Sequence, residues 1–60
     1  MRFREVDKML KLDGWYDIGK VGSHHQYKHP IKPGKVTVPE HGGKDVPLPV
    51  VKSIKKQAGL

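Results

Sequence analysis

A chain of 60 residues without cysteine excludes disulfide bridges and thiolate metal sites, and it can bury only one small core. We therefore expect a single domain over residues 1–60. Twelve Lys and Arg against six Asp and Glu give a net charge of +6, which favours a polyanionic partner such as nucleic acid. The sequence has no apolar run of about 18 residues and no signal-peptide core, so we expect a cytoplasmic protein with no membrane contact.

The first predicted element is a helix over Arg2–Asp13. Phe3, Val6 and Leu10 have the three-then-four spacing of one apolar helical face. Gly14 follows, and glycine adopts the left-handed conformation that ends many helices without a steric penalty. The pattern therefore predicts a helix that ends at this glycine.

Three strands are predicted next, over Trp15–Val21, His24–His29 and Lys35–Pro39. Aromatic and β-branched residues favour the first strand, and the third strand alternates strictly between apolar and polar residues. Gly22-Ser23 and Pro33-Gly34 are typical of tight turns. Strands joined by short turns predict an antiparallel meander.

A second helix is predicted for the C-terminal stretch PVVKSIKKQAGL, with Pro49 in its first turn and Gly59 at its end. Its apolar face holds Val50 or Val51, Ile54 and Ala58, and its opposite, basic face holds Lys52, Lys55 and Lys56. The order α-β-β-β-α predicts an α+β domain in which two helices cover one face of a three-stranded antiparallel sheet. Double-stranded-RNA-binding domains (dsRBDs) have this arrangement.

Three of the four histidines lie in VGSHHQYKHP, residues 21–30. If Tyr27 points into the core, strand alternation places His25 and His29 on its side, and His24 and Lys28 on the open face. His25 and His29 would then be about 13 Å apart along the strand, too far to share an ion, so no metal site is predicted. We expect structural roles for these two, which leaves His24 as the candidate acid or base.

Several motifs resemble those of HicA-type toxins, the mRNA interferases of HicBA toxin–antitoxin systems. The matching pieces are DGW (13–15), GSHHQYKHP (22–30), VTVP (36–39), KD (44–45) and SIKKQAGL (53–60). The resemblance implies a dsRBD-like fold and ribosome-independent cleavage of mRNA without a metal or other cofactor. It also implies one catalytic histidine in the Gly-Ser-His element, which is His24 here, supported by Gly22 and Ser23.

The resemblance also implies a partner, a HicB-type antitoxin that covers the active face and neutralises the toxin. In this family the antitoxin often supplies the DNA-binding part, so we expect no direct DNA binding by this chain alone.

RNA carries its own nucleophile, the 2′-hydroxyl, so an enzyme needs proton transfer and charge stabilisation. His24 can serve one proton role, and Lys20 and Lys28 could hold phosphate. A second acid or base is not evident from the sequence. His41, on the glycine-rich loop, and His25 are the candidates.

Two other functions fit the same charge. One is a non-catalytic RNA-binding module of dsRBD type, which reads A-form shape and phosphates through lysines. The other is a protein-interaction domain that docks an acidic partner on the open sheet face. His24 separates these hypotheses from the nuclease, because a pure binder has no cleavage to lose when His24 is removed.

Overall fold

The computed structural model describes residues 1–40 and 42–60, and its elements follow the predicted order. They are α1 (Phe3–Leu12), β1 (Tyr16–Val21), β2 (His24–Lys28), β3 (Val36–Pro39) and α2 (Leu48–Ala58). The α-β-β-β-α prediction is confirmed, and the observed element ends lie close to the predicted ones. Within the described ranges, no helix combines the length and the apolar character needed to cross a membrane.

Local chemistry accounts for the start of α1 and for both ends of α2. At the start of α1, the Glu5 carboxylate accepts a hydrogen bond from the backbone N–H of Arg2 at 2.8 Å. In α2, Pro49 occupies the first turn, where its missing N–H costs nothing. Gly59 then adopts the left-handed conformation at φ 72°, and the N–H of Leu60 bonds back to the Lys55 carbonyl at 2.8 Å.

The sheet is antiparallel in the order β1-β2-β3, so the histidine-rich strand is the central one. Val21 pairs with His24, which leaves Gly22 and Ser23 as a two-residue turn. The register between β1 and β2 shifts at Ile18, which forms a β-bulge. A bulge of this kind changes which side of the sheet the following residues face.

The core lies between one face of the sheet and the two helices. Its buried members are Val6, Leu10, Trp15, Tyr27, Val36, Val38, Val46, Val51, Ile54 and Ala58. The Tyr27 ring points inward as predicted, and its hydroxyl donates to Asp7 of α1 at 2.5 Å. Burial and the adjacent Asp7 raise the pKa of Tyr27, so this phenol stays protonated. Because all the buried strand residues face the helices, the other sheet face is left open.

Candidate functional site

The open face consists of three rows of residues that cross the strands. Residues directly opposite each other in a sheet project to the same side. The rows are Tyr16–Lys28, Gly19–Gln26–Thr37 and Val21–His24–Pro39. These three rows contain no Asp or Glu, and their charge is the positive charge of Lys28 together with any charge on His24.

His24 lies at one end of the open face, directly after the turn. Its side chain is exposed, and among residues 1–40 and 42–60 no side chain hydrogen-bonds or ion-pairs with its ring. The turn before it is held in place, because the Ser23 carbonyl accepts a hydrogen bond from the Glu40 N–H at 2.7 Å. The central strand therefore fixes the backbone of His24 while its ring remains free to contact a ligand.

His25, the next residue, points to the other side of the sheet and is bonded at both ring nitrogens. Its Nδ1 lies 2.8 Å from Asp17 Oδ2, and its Nε2 lies 2.8 Å from Glu40 Oε1. Ionised carboxylates only accept hydrogen bonds, so these two contacts favour the imidazolium form, in which both ring nitrogens donate. The Phe3 ring packs against it with centroids 4.5 Å apart. His25 thus links β1, β2 and the residue after β3.

The pKa values of this triad follow from the same contacts. Burial alone would lower the pKa of His25, but its hydrogen bonds to Glu40 and Asp17 outweigh burial and raise it. The Gly19 N–H and then His25 lower the pKa of Asp17. The hydrogen bond from His25 lowers the pKa of Glu40. Folding therefore favours the charged form of all three groups.

We expect the stability of the fold to fall as the pH rises above about 6.5, because the pKa of His25 is raised in the folded state. A raised histidine pKa adds stability below the ordinary value of 6.5, and this is lost as the pH rises through the folded value. The lowered pKa of Glu40 adds stability above its ordinary value of 4.5, and this is lost on acidification. Stability should be greatest between these two values, which urea unfolding across pH checks.

His25→Gln is the variant that isolates this effect, because glutamine keeps hydrogen-bonding groups and cannot become a cation. It should destabilise the fold by about 1–3 kcal/mol near pH 6, the usual loss when charged hydrogen bonds are removed. The difference between wild type and variant should shrink as the pH rises. An equal difference at every pH would mean that the charge of His25 does not stabilise the fold.

His29 is also occupied at both ring nitrogens. Its Nε2 lies 2.7 Å from the Asp13 carbonyl oxygen, and its Nδ1 accepts from the backbone N–H groups of Ile31 and Lys32, each at 3.0 Å. These contacts place the single ring proton on Nε2. Trp15 packs edge-on against the ring at 5.1 Å. His29 therefore secures the chain after β2 to the end of α1, the structural role that its strand position predicted.

The structure separates the two lysines that the sequence singled out. Lys28 lies on the open face, four residues along β2 from His24 and hence about 13 Å away. Lys20 lies opposite His25 in the register of β1 and β2, so its side chain projects to the core side. There its Nζ lies 3.5 Å from Glu40 Oε1. The structure therefore brings Lys28, and not Lys20, onto the face of His24. His41, the other candidate acid or base, lies outside the described residues.

Sequence reasoning missed the carboxylate partners of His25. Asp17 and Glu40 are the only acidic residues between Asp13 and Asp45, and alternation already placed His25 on the core side. A partly buried imidazole needs partners, so these two acids were the signal available. Among the described residues, no group of three or more His, Asp or Glu is arranged to hold a metal ion.

The fold and the site define a small basic α+β protein whose open sheet face presents one histidine with a free ring. A family model described as "HicA toxin of bacterial toxin-antitoxin" matches residues 3–60. The chain therefore belongs to the HicA toxin family, and it has the role of a toxin whose partner is an antitoxin. A comparison with curated proteins finds no matching sequence.

Proposed function

We propose that this toxin is an endoribonuclease that cleaves mRNA without a metal or a ribosome, with His24 as its catalytic residue. One observation carries the proposal. Of the three histidines in the described ranges, His25 and His29 have both ring nitrogens occupied, whereas the ring of His24 is free. A group that transfers protons to a ligand needs such a free nitrogen.

The chemistry requires little beyond this residue. Neutral His24 accepts the proton of the RNA 2′-hydroxyl as the 2′-oxygen attacks the adjacent phosphorus. The bond to the 5′-oxygen then breaks, and that oxygen leaves with a proton from the imidazolium or from water. The products end in a 2′,3′-cyclic phosphate and a 5′-hydroxyl. One positioned imidazole typically accelerates such a step by about 10²–10⁴-fold.

The neighbouring residues support this role in different ways. Gly22 adopts φ 60°, which lets the two-residue turn with Ser23 deliver His24 at the start of the central strand. Lys28 holds a phosphate of the RNA on the open face. Lys20 contributes only where RNA passes around the edge of β1. Its ion pair with Glu40 is half-exposed and therefore weak enough to exchange for phosphate.

The proposed antitoxin is of HicB type and neutralises the toxin by covering the open face. Val21 is 70% exposed there beside His24, so a protein partner would bury apolar surface while it blocks the ring. We propose that the complex acts in the cytoplasm and that this chain alone does not bind DNA.

A second candidate function is a non-catalytic RNA-binding module. The observation that favours it is α2, which carries Lys52, Lys55 and Lys56 on its exposed surface and has no acidic residue. Lysines arranged in this way bind phosphates without catalysing a reaction. Cleavage of RNA by the purified chain separates the two functions.

We expect the purified chain to cleave single-stranded RNA in the presence of EDTA and in the absence of ribosomes. Fragments should end in a 2′,3′-cyclic phosphate, which mass spectrometry identifies. The matched control is the same oligonucleotide with 2′-O-methyl groups throughout, which has no 2′-hydroxyl nucleophile and should stay intact. Cleavage of the methylated strand, or cleavage that stops in EDTA, would contradict the mechanism.

A further inference from the structure

Tyr16 is the one Phe, Tyr or Trp side chain among the three rows of the open face. It begins β1 opposite Lys28, and it is 49% exposed. Trp15 and Tyr27 are buried on the other side, and Phe3 packs there against His25. An aromatic ring that the core does not use is available to a ligand, and such rings are common where proteins contact partners.

The row that holds Tyr16 lies at a defined distance from the proposed catalytic residue. His24 and Lys28 are four residues apart on β2, which separates their rows by about 13 Å. The row between them, Gly19–Gln26–Thr37, is polar and has no side chain at its β1 position. Gly19 contributes no side chain to it, and Thr37 donates to the Gln26 side chain at 3.1 Å. A single nucleic-acid strand can therefore lie along the face from His24 to Tyr16.

We propose that Tyr16 stacks against an unpaired base of the RNA while Lys28 holds the phosphate beside it, about two nucleotides from the bond that His24 cleaves. This inference rests on the proposed ribonuclease function. Charge complementarity selects RNA as the occupant, because the three rows contain a lysine and no acid in a chain of net charge +6. Stacking of this kind contributes about 1–3 kcal/mol per base.

The stacking contact sets the class of substrate. In an A-form duplex the faces of the bases are covered by their neighbours, and the protein meets only edges, 2′-hydroxyls and phosphates. Tyr16 can therefore stack only where the RNA is single-stranded. Because every base has an aromatic face, this subsite selects unpaired nucleotides without selecting a particular base.

The test compares Tyr16→Ala with Tyr16→Phe, using a short single-stranded RNA with 2′-O-methyl groups throughout, which stays intact. Tyr16→Ala should weaken binding about tenfold, and Tyr16→Phe, which keeps the ring, should stay within about twofold of wild type. Affinity for a duplex of the same sequence should not change. Leu12→Ala is the control, because Leu12 is 79% exposed on α1, away from the open face.

Removing single bases from the oligonucleotide locates the stacked position. At one abasic position, wild type and Tyr16→Ala should bind equally, because the base that Tyr16 contacts is missing. The proposal is overturned if Tyr16→Phe loses as much affinity for the single strand as Tyr16→Ala does, or if Tyr16→Ala loses as much affinity for the duplex as for the single strand. It is also overturned if Tyr16→Ala binds the single strand as tightly as wild type does, or if the wild type does not bind it at all.

Cleavage of unmodified RNA, measured in parallel, keeps the two proposals distinct. If wild type cleaves RNA and Tyr16→Ala binds as wild type does, the stacking inference alone fails. If Tyr16 governs binding to single strands but no RNA is cleaved, the stacking contact stands and the ribonuclease function falls.

Discussion

His24→Ala is expected to lower the rate of RNA cleavage by about 10²–10⁴-fold, the usual contribution of one positioned acid or base. Stability should change by less than about 0.5 kcal/mol, because the side chain is exposed and has no partner among the described residues. Single-turnover cleavage of a labelled RNA measures the first effect, and urea unfolding measures the second. In bacteria, the wild type should arrest growth and degrade mRNA, and the variant should do neither.

The adjacent histidine supplies a matched control for this experiment. His25→Gln should have the opposite profile, since His25 faces the core side and is bonded to Asp17 and Glu40. It should lose stability and yet cleave RNA at an unchanged rate per folded molecule. If His25→Gln abolishes cleavage while folded and His24→Ala does not, the catalytic role moves to His25. If neither variant affects cleavage, the active site lies elsewhere.

Gly14→Ala should leave most of the protein molecules unfolded. Gly14 has φ 101°, and a Cβ there would lie 2.7 Å from Nε2 of His29. The ring cannot move aside cheaply, because it is held by the Asp13 carbonyl and by two backbone N–H groups. Backbone strain and the lost hydrogen bond together should cost about 2–5 kcal/mol. A 60-residue core without disulfides rarely supplies more than about 3–5 kcal/mol.

Gly34→Ala separates the two contributions to this loss. Gly34 also has a positive φ, 85°, but a Cβ there would meet no atom within 4 Å. It should lose only the strain energy, about 1–2 kcal/mol. Circular dichroism and urea unfolding of both variants provide the measurement. Equal losses at the two positions would show that the approach of His29 to Gly14 does not matter.

The contacts of Asp13 link the DGW and HP motifs of this chain in the fold. Asp13 accepts from the Trp15 indole at 3.1 Å and from Lys32 at 2.5 Å, and its carbonyl meets His29. Lys32 also donates to the Ala58 carbonyl at 3.0 Å, which joins the ends of the two helices. In this chain, residues of the DGW and HP motifs therefore maintain the fold.

The part of the site that could be predicted from sequence is the separation of His24 from His25 and His29. It follows from the alternation of a strand once Tyr27 is assigned to the core, and the structure confirms that orientation. The face of Lys20 could not be predicted in the same way. Simple alternation from the buried Trp15 places Lys20 outward, but the bulge at Ile18 turns it to the core side.

The sequence by itself determined the order of the elements, the helix ends and the two sides of the central strand. These depend on the spacing of neighbouring residues and on the conformational preferences of Gly and Pro, which are local. Only the tertiary structure decided which histidine ring is free. The partners of His25 lie 8 and 15 residues away in Asp17 and Glu40, and strand pairing is what brings these carboxylates to the imidazole.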